Sequence, residues 1–392
     1  VVFHRDVEFE QAREAVLAAG GALSDPLAVR FLPTQRLELR IAPSSVAALL
    51  ADDRVFAIAG PRRFRVAAHN ATSAAVSHVT ELYSAPYGLT GNGVTVSLFE
   101  LGEGQVSHVE FGGRATLLNA GCGPGTQNNT HATHVAGTIG AAGINASAKG
   151  MAPSVRIFQN CVDTPTQWLV DKEGEASRGV TVDNNSWGYI LGWSNDTGSW
   201  VWNGFDEYFG AYDLLSGAPL DRISNEKNIL FVHSAGNDGD KFPTSPFKTH
   251  FHLKTNGETD TSKTYCVSEN ASGTDCPATC NGGCETARHH LQSPFDTMSV
   301  TGAAKNVLAV GAVDSTLNVA SLSSRGPAKD GRVKPDVVAR GTSVLSTIPT
   351  NSYTRLSGTS MAAPAVTGIA ALLTEQWRRT FGAGPLASQL RG

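Results

Sequence analysis

Leu356-Ser357-Gly358-Thr359-Ser360-Met361-Ala362-Ala363-Pro364, running into the apolar stretch 365–373, decides how this chain is read. A small hydroxyl residue stands between a glycine turn and a long helical segment. The spacing predicts a helix over Ser360–Trp377, with Pro364 in its first turn, where the missing N–H costs nothing and the fixed φ favours helix. Ser360 is thereby placed at a helix N-terminus, where unpaired backbone N–H groups and the dipole favour negative charge. That position suits a nucleophile whose reaction generates an oxyanion.

Working outward, His131-Ala132-Thr133-His134-Val135-Ala136-Gly137-Thr138 begins another helix, predicted over His131–Ala141. Phe231-Val232-His233-Ser234-Ala235-Gly236-Asn237-Asp238 reads as a strand ending in a turn. Gly150-Met151-Ala152-Pro153, Asn185-Ser186-Trp187-Gly188, Ser323-Ser324-Arg325-Gly326-Pro327 and Lys334-Pro335-Asp336 fall between and after them. Taken in order over residues 91 to 380, these pieces resemble the subtilisin-like serine proteases, the subtilases, in which the acid precedes the histidine and the histidine the serine.

The acid departs from the pattern. The strand Val94–Phe99 leads into Glu100-Leu101-Gly102, where the family has aspartate followed one residue later by glycine. Glutamate keeps the carboxylate and adds a methylene, so its oxygens overshoot the imidazole unless strand or rotamer adjusts. The carboxylate's task is to hold the histidine tautomer and stabilise the imidazolium. The resemblance implies Glu100, His131 and Ser360 as the catalytic set and Asn237 as the oxyanion-hole donor. It implies an extended peptide pairing with strand edges at Ser186-Trp187-Gly188 and Ser234-Ala235-Gly236. Ala132 replaces the glycine usual after the catalytic histidine. His131 and His134, three apart without an intervening glutamate, lack a zinc-protease arrangement, and His134 reads as structural. A rival reading, a pseudoprotease acting as a peptide-binding regulatory module, rests on Glu100 alone.

The 392 residues exceed one typical domain. With 31 basic and 35 acidic residues, net charge −4, no basic field points to nucleic acid. The apolar run near Ser360 is about ten residues, too short for a bilayer, so no membrane span is expected. Val1 is not methionine, which fits a chain that has lost a targeting segment or been trimmed. Six cysteines, four of them between Cys266 and Cys284, argue for disulfides and an oxidising location, secreted to the extracellular space or the periplasm. Cys122 with Cys161 is one expected pair. Cys266, Cys276, Cys280 and Cys284 leave three connectivities, with a metal knuckle of Cys276, Cys280, Cys284 and His289 or His290 as the rival. Residues 249–294 read as a stapled surface insertion. Sequons stand at Asn70, Asn128, Asn145, Asn184, Asn195 and Asn270.

The first 68 residues read as a separate unit: strand 1–7, helix Glu8–Ala19, strand Leu37–Ile41, a short helix from Pro43 to Leu50 and strand Val55–Ile58. This order suggests a small α+β, ferredoxin-like sheet, similar to a subtilase prodomain that chaperones folding and inhibits the enzyme. Residues 69–392 form the expected catalytic domain. Its strands, at Val94–Phe99, Val155–Phe158, Val180–Asp183, Ile229–His233 and Val307–Val313, alternate with helices, one of them expected within Gly204–Ser216. The fold class is therefore α/β, with a doubly wound, mainly parallel sheet. No cofactor is required for the implied chemistry. Structural calcium is a further implication, with Asp196, Asp238 and Asp240 as candidate ligands.

Overall fold

The computed structural model describes residues 2–4, 7–21, 42–57, 70–119, 129–162, 167–195, 199–204, 206–212, 216–242, 249–254, 259–268, 276–285 and 293–391. The chain divides into two compact units, Val1–Arg65 and Val66–Gly392.

In the first unit, β1 (Val2–Phe3) pairs antiparallel with β2 (Val55–Ala57), and α1 (Phe9–Ala18) and α2 (Pro43–Leu50) supply its helices. Gln11 Oε1 accepts the Glu8 N–H at 2.8 Å, satisfying a donor ahead of α1. Pro43 opens α2 at a position that needs no N–H. Phe3, Val7, Ala12, Ala15, Val16 and Leu49 form a separate small core. The strand expected at Leu37–Ile41 lies outside the described residues.

The second unit begins with α3 (Asn70–Val76) and α4 (Val79–Leu82). Its strands and helices then follow as β3 (Thr95–Glu100), β4 (Ala115–Leu117), α5 (Thr130–Gly140), β5 (Arg156–Cys161), α6 (Gln167–Glu175) and β6 (Val180–Asn185). Next come β7 (Trp193–Ser194), β8 (Trp200–Trp202), α7 (Gly217–Lys227), β9 (Leu230–Ser234), β10 (His250–His252), β11 (Tyr265–Val267) and β12 (Gly283–Glu285). The chain closes with β13 (Val307–Val313), β14 (Val337–Arg340), β15 (Val344–Ile348), β16 (Ser352–Leu356), α8 (Thr359–Phe381) and α9 (Ala387–Arg391).

Seven strands form one parallel sheet in the order β14-β13-β9-β6-β3-β5-β4. Alternation along the strands supplies two faces. Val96, Leu98, Val182, Leu230, Val232, Leu308 and Val310 join the core shared with Val135 and Ile139 of α5 and Ala362, Ala365 and Leu372 of α8. Phe99, Phe231 and Val307 join a second core with Trp168 of α6 and Leu220 and Ile223 of α7. Both faces are covered, as the apolar strands require, and the α/β doubly wound expectation holds.

Two elements depart from expectation. Between Gly204 and Ser216 the described residues hold only a 3₁₀ turn, Asp206–Tyr208; the helix starts at Gly217. Pro219 sits in its first turn, where a proline is tolerated. Pro364 lies in the second turn of α8, not the first, because the helix already starts at Thr359. Its missing N–H leaves the Ser360 carbonyl without an i→i−4 partner.

The 249–294 insertion builds a second sheet with neighbouring loops, in the order β12-β11-β10-β8-β7. Cys266 is bonded to Cys280 and Cys276 to Cys284, which selects one connectivity and removes the thiolates the metal-knuckle alternative needed. Cys122 lies outside the described residues, and the expected Cys122–Cys161 pair with it. Asn184 is fully buried in β6, so its sequon is closed in the folded protein.

Candidate active site

The central sheet delivers the site residues at its carboxyl edge, where parallel α/β sheets leave a crevice. Glu100 is the last residue of β3, Asn185 of β6 and Ser234 of β9. Helix N-termini complete the set: His131 is the second residue of α5 and Ser360 the second of α8. Asn129 caps α5, its side-chain oxygen accepting the Ala132 N–H at 2.9 Å. That cap dictates Gly102, where a Cβ would lie 2.6 Å from Asn129 Nδ2. Ala132 is fully buried beneath the cap, so its extra methyl is accommodated.

Glu100 Oε2 lies 2.8 Å from His131 Nδ1. The added methylene therefore does not carry the carboxylate past the ring. The carboxylate is 2% exposed, and its other oxygen, Oε1, is buried without a hydrogen-bond partner among the described residues. Burial works to lower the His131 pKa, but the Glu100 charge and hydrogen bond outweigh it and hold the imidazole above its ordinary value. Nδ1–H donated to the carboxylate leaves Nε2 as the ring's basic nitrogen. The Ser360 hydroxyl donates to the Ser186 carbonyl at 3.0 Å, and no hydrogen bond joins it to His131 among the described residues.

Asn237 is oriented by its neighbours. Its Oδ1 accepts the Thr359 N–H at 2.8 Å and lies 3.0 Å from the Thr359 hydroxyl. With the oxygen engaged, Nδ2 is the free donor of that amide. The turn before it requires Gly236, at φ 111°, where a Cβ would approach Ser324 Oγ to 2.7 Å.

Ser360 and Asn237 open onto a cleft of about 530 Å³ that Ser186, Trp187, Gly188, Ser234 and Gly236 also line. Ala235 does not: it is fully buried and packs with Met298 and Ala309. Trp187 is both core and cleft, 7% exposed, with its ring edge on Trp168 at 5.3 Å. Tyr189, Ile190 and Trp193 also line the cleft, and Ile190 is 72% exposed. Tyr189 and Ile190 sit in irregular backbone and Trp193 on the short β7, a spacing that carries no periodic signal. His134 is structural as expected: its Nε2 pairs with the Val344 carbonyl at 2.9 Å, and burial lowers its pKa to about 4. Asp196 lies outside the described residues, and Asp240 accepts from Ser321 at 2.9 Å. Neither Asp238 nor Asp240 belongs to a cluster of three or more metal-competent side chains among the described residues.

Behind the cleft lies a buried polar cluster that sequence reading did not find. Lys172 of α6 is fully buried and donates to Asp183 at 2.7 and 2.9 Å and to Asn185 at 2.9 Å. Its ammonium also lies 3.6 Å from the Phe99 ring centroid. Glu175 accepts from Ser97 and Asn160; burial and the Asp183 charge push its carboxyl pKa well above the usual carboxylate range. Trp187 Nε1 donates to Asn185 at 3.2 Å, linking this cluster to the cleft wall.

Residues 122–381 match the pattern of the subtilase family, two thirds of the chain. The chain belongs to the subtilase family. Among curated proteins this subtilase is 26% identical to serine protease AprX of Bacillus subtilis over 378 residues, 88% of this chain and 71% of that protein. It is 28% identical to subtilisin BL of Lederbergia lenta over 298 residues, 74% and 79% of the two chains. Among solved structures, the CspB protease of Clostridium perfringens superposes with a TM-score of 0.54 at 20% identity, covering 79% of this chain and 87% of that one. The prenylagaramide maturation protease PagA gives 0.52 at 22%, covering 80% and 85%. These two show the shared fold. The enzyme class of this subtilase is serine peptidase, and the family's chemistry requires no cofactor. The family match begins after Glu100, which lies outside the matched residues.

Proposed function

We propose that this subtilase is a secreted endopeptidase that cleaves peptide bonds through an acyl-enzyme, using Glu100, His131 and Ser360. The Glu100 Oε2 to His131 Nδ1 contact of 2.8 Å carries the reading. Ser360 Oγ attacks the scissile carbonyl while His131 Nε2 takes its proton. The tetrahedral oxyanion receives hydrogen bonds from Asn237 Nδ2 and the Ser360 N–H. His131 returns the proton to the departing amine, and water then repeats the sequence to release the acid. The Ser360–His131 bond is made when substrate enters, since catalytic hydrogen bonds often tighten only in the complex.

The substrate lies extended, its backbone pairing with Ser186–Gly188 on one side and Ser234–Gly236 on the other. Residues 1–68 act as a prodomain, chaperone and inhibitor of the same chain, with Val1–Arg65 compact by itself supporting this. Two disulfides in the insertion support a secreted location.

A mixed peptide library incubated with the chain and with Ser360→Ala tests the activity. Cleavage by the first and none by the second is expected, and the cut sites give the side-chain preference. Absence of cleavage after removal of the N-terminal segment would overturn the reading. Intact mass under assay conditions tests maturation, for which loss of the N-terminal unit is expected.

A further inference from the structure

The insertion sheet gathers three side chains that the peptidase chemistry does not use. His250 and His252 stand two apart on β10 and so share one face of the strand. Glu285 ends β12, and its carboxylate reaches both rings. His250 Nε2 lies 3.1 Å from His252 Nε2 and 3.2 Å from Glu285 Oε2; His252 Nε2 lies 3.3 Å from Glu285 Oε1. We propose that these three residues bind one divalent cation of the zinc class, which clamps β10 to β12.

The distances fit that occupant. Tetrahedral zinc holds nitrogen and oxygen ligands at about 2.0–2.1 Å, which separates the ligand atoms from one another by about 3.3–3.4 Å. Protonation alone serves this triangle poorly. Two Nε2–H groups would face each other at 3.1 Å. A single Nε2–H would leave the other ring's lone pair against a carboxylate oxygen. A cation at the centre satisfies all three at once. The donor set selects its class, because two imidazoles with one carboxylate suit zinc and its transition-metal neighbours, whereas calcium and magnesium take oxygen.

The triangle is also held in place. The His252 ring stacks on Tyr265 at 4.1 Å, and the His250 ring meets the edge of Trp193 at 4.9 Å. Cys284, bonded to Cys276, fixes the strand position beside Glu285, and Cys266, bonded to Cys280, fixes the intervening β11. The His250 side chain is fully buried, while those of His252 and Glu285 are 25% and 22% exposed. The site is therefore closed on one side and open on the other, where water completes the coordination. Trp193 lines the substrate cleft, so the cation braces the wall of the cleft from behind and takes no part in bond cleavage.

The test uses the metal-stripped full chain carrying Ser360→Ala, which prevents self-digestion. Zinc binding is measured by calorimetry, and cobalt binding by its visible ligand-field absorption. Stoichiometric binding of one ion at micromolar concentration, with a tetrahedral cobalt spectrum, is expected. His252→Gln and Glu285→Gln, both at half-buried positions, should each weaken zinc binding by about 100-fold or more, beyond the 10–100-fold that losing an outer partner costs. Circular dichroism of the metal-free variants should match that of the parent. A parent chain that binds neither ion overturns the proposal without reference to any variant. Binding that survives both substitutions unchanged overturns it equally.

Discussion

Replacing Glu100 by aspartate restores the residue usual in this family, yet the geometry here predicts a loss. The Thr95–Glu100 strand places the backbone so that a glutamate oxygen meets His131 Nδ1 at 2.8 Å. Removing one methylene withdraws the carboxylate by about 1.5 Å, the length of a carbon–carbon bond. The contact then opens to roughly 4.3 Å, beyond hydrogen-bond reach. The attraction between the carboxylate and the imidazolium falls from about 6 to about 4 kcal/mol at an effective dielectric constant of about 20. A loss of about 2 kcal/mol in the transition state is roughly a 30-fold fall in kcat/KM. Glu100→Ala removes the charge and the orienting bond together and should cost about 10⁴-fold. Initial rates on a chromogenic peptide, across wild type, Glu100→Asp and Glu100→Ala, measure both. An aspartate variant as fast as wild type would refute the reasoning, because it would mean the strand shifts to meet the shorter side chain.

Asn237→Ala should lower kcat by about 10²–10³ with KM little changed, since its amide acts on the oxyanion and not on bound substrate; steady-state kinetics separate the two. The imidazole must be neutral to accept the Ser360 proton, and Glu100 holds its pKa above 6.5. Activity should therefore fall on the acid side with a midpoint above about 6.5, and Glu100→Gln should move that midpoint to lower pH, as kcat/KM profiles of the two would show. Lys172→Met leaves the Asp183 carboxylate buried without its cation. It should destabilise the fold by about 3–5 kcal/mol, read by urea denaturation in the Ser360→Ala background, with Asp183→Asn added recovering part of the loss.

Much of the site was legible because its residues sit where local backbone rules apply. Ser360 and His131 begin helices, and Asn237 follows a strand and a glycine turn. Each is announced by neighbours in sequence, whereas the Asn129 cap that requires Gly102 comes to it only through the fold. The apolar Val94–Phe99 segment likewise announced a buried strand, which places Val96 and Leu98 in one core and Phe99 in the other. Motif membership does not say which side chains of Ser234-Ala235-Gly236 reach the cleft, and that of Ala235 is buried. The helix at Gly217 was missed because a glycine, an alanine and a proline open it, with no periodic apolar face before Leu220.

The sequence by itself determined the α/β class and the family, and it proposed Glu100, His131 and Ser360 in that order, since these are properties of short segments. Only the tertiary structure brought the Glu100 carboxylate against the His131 ring, because that contact depends on a reach across 31 residues to within a few tenths of an ångström. It alone brought Lys172 beneath the cleft beside Asp183. It also joined His250 and His252 to Glu285, whose meeting is set by strand order and disulfide pairing and by no local pattern.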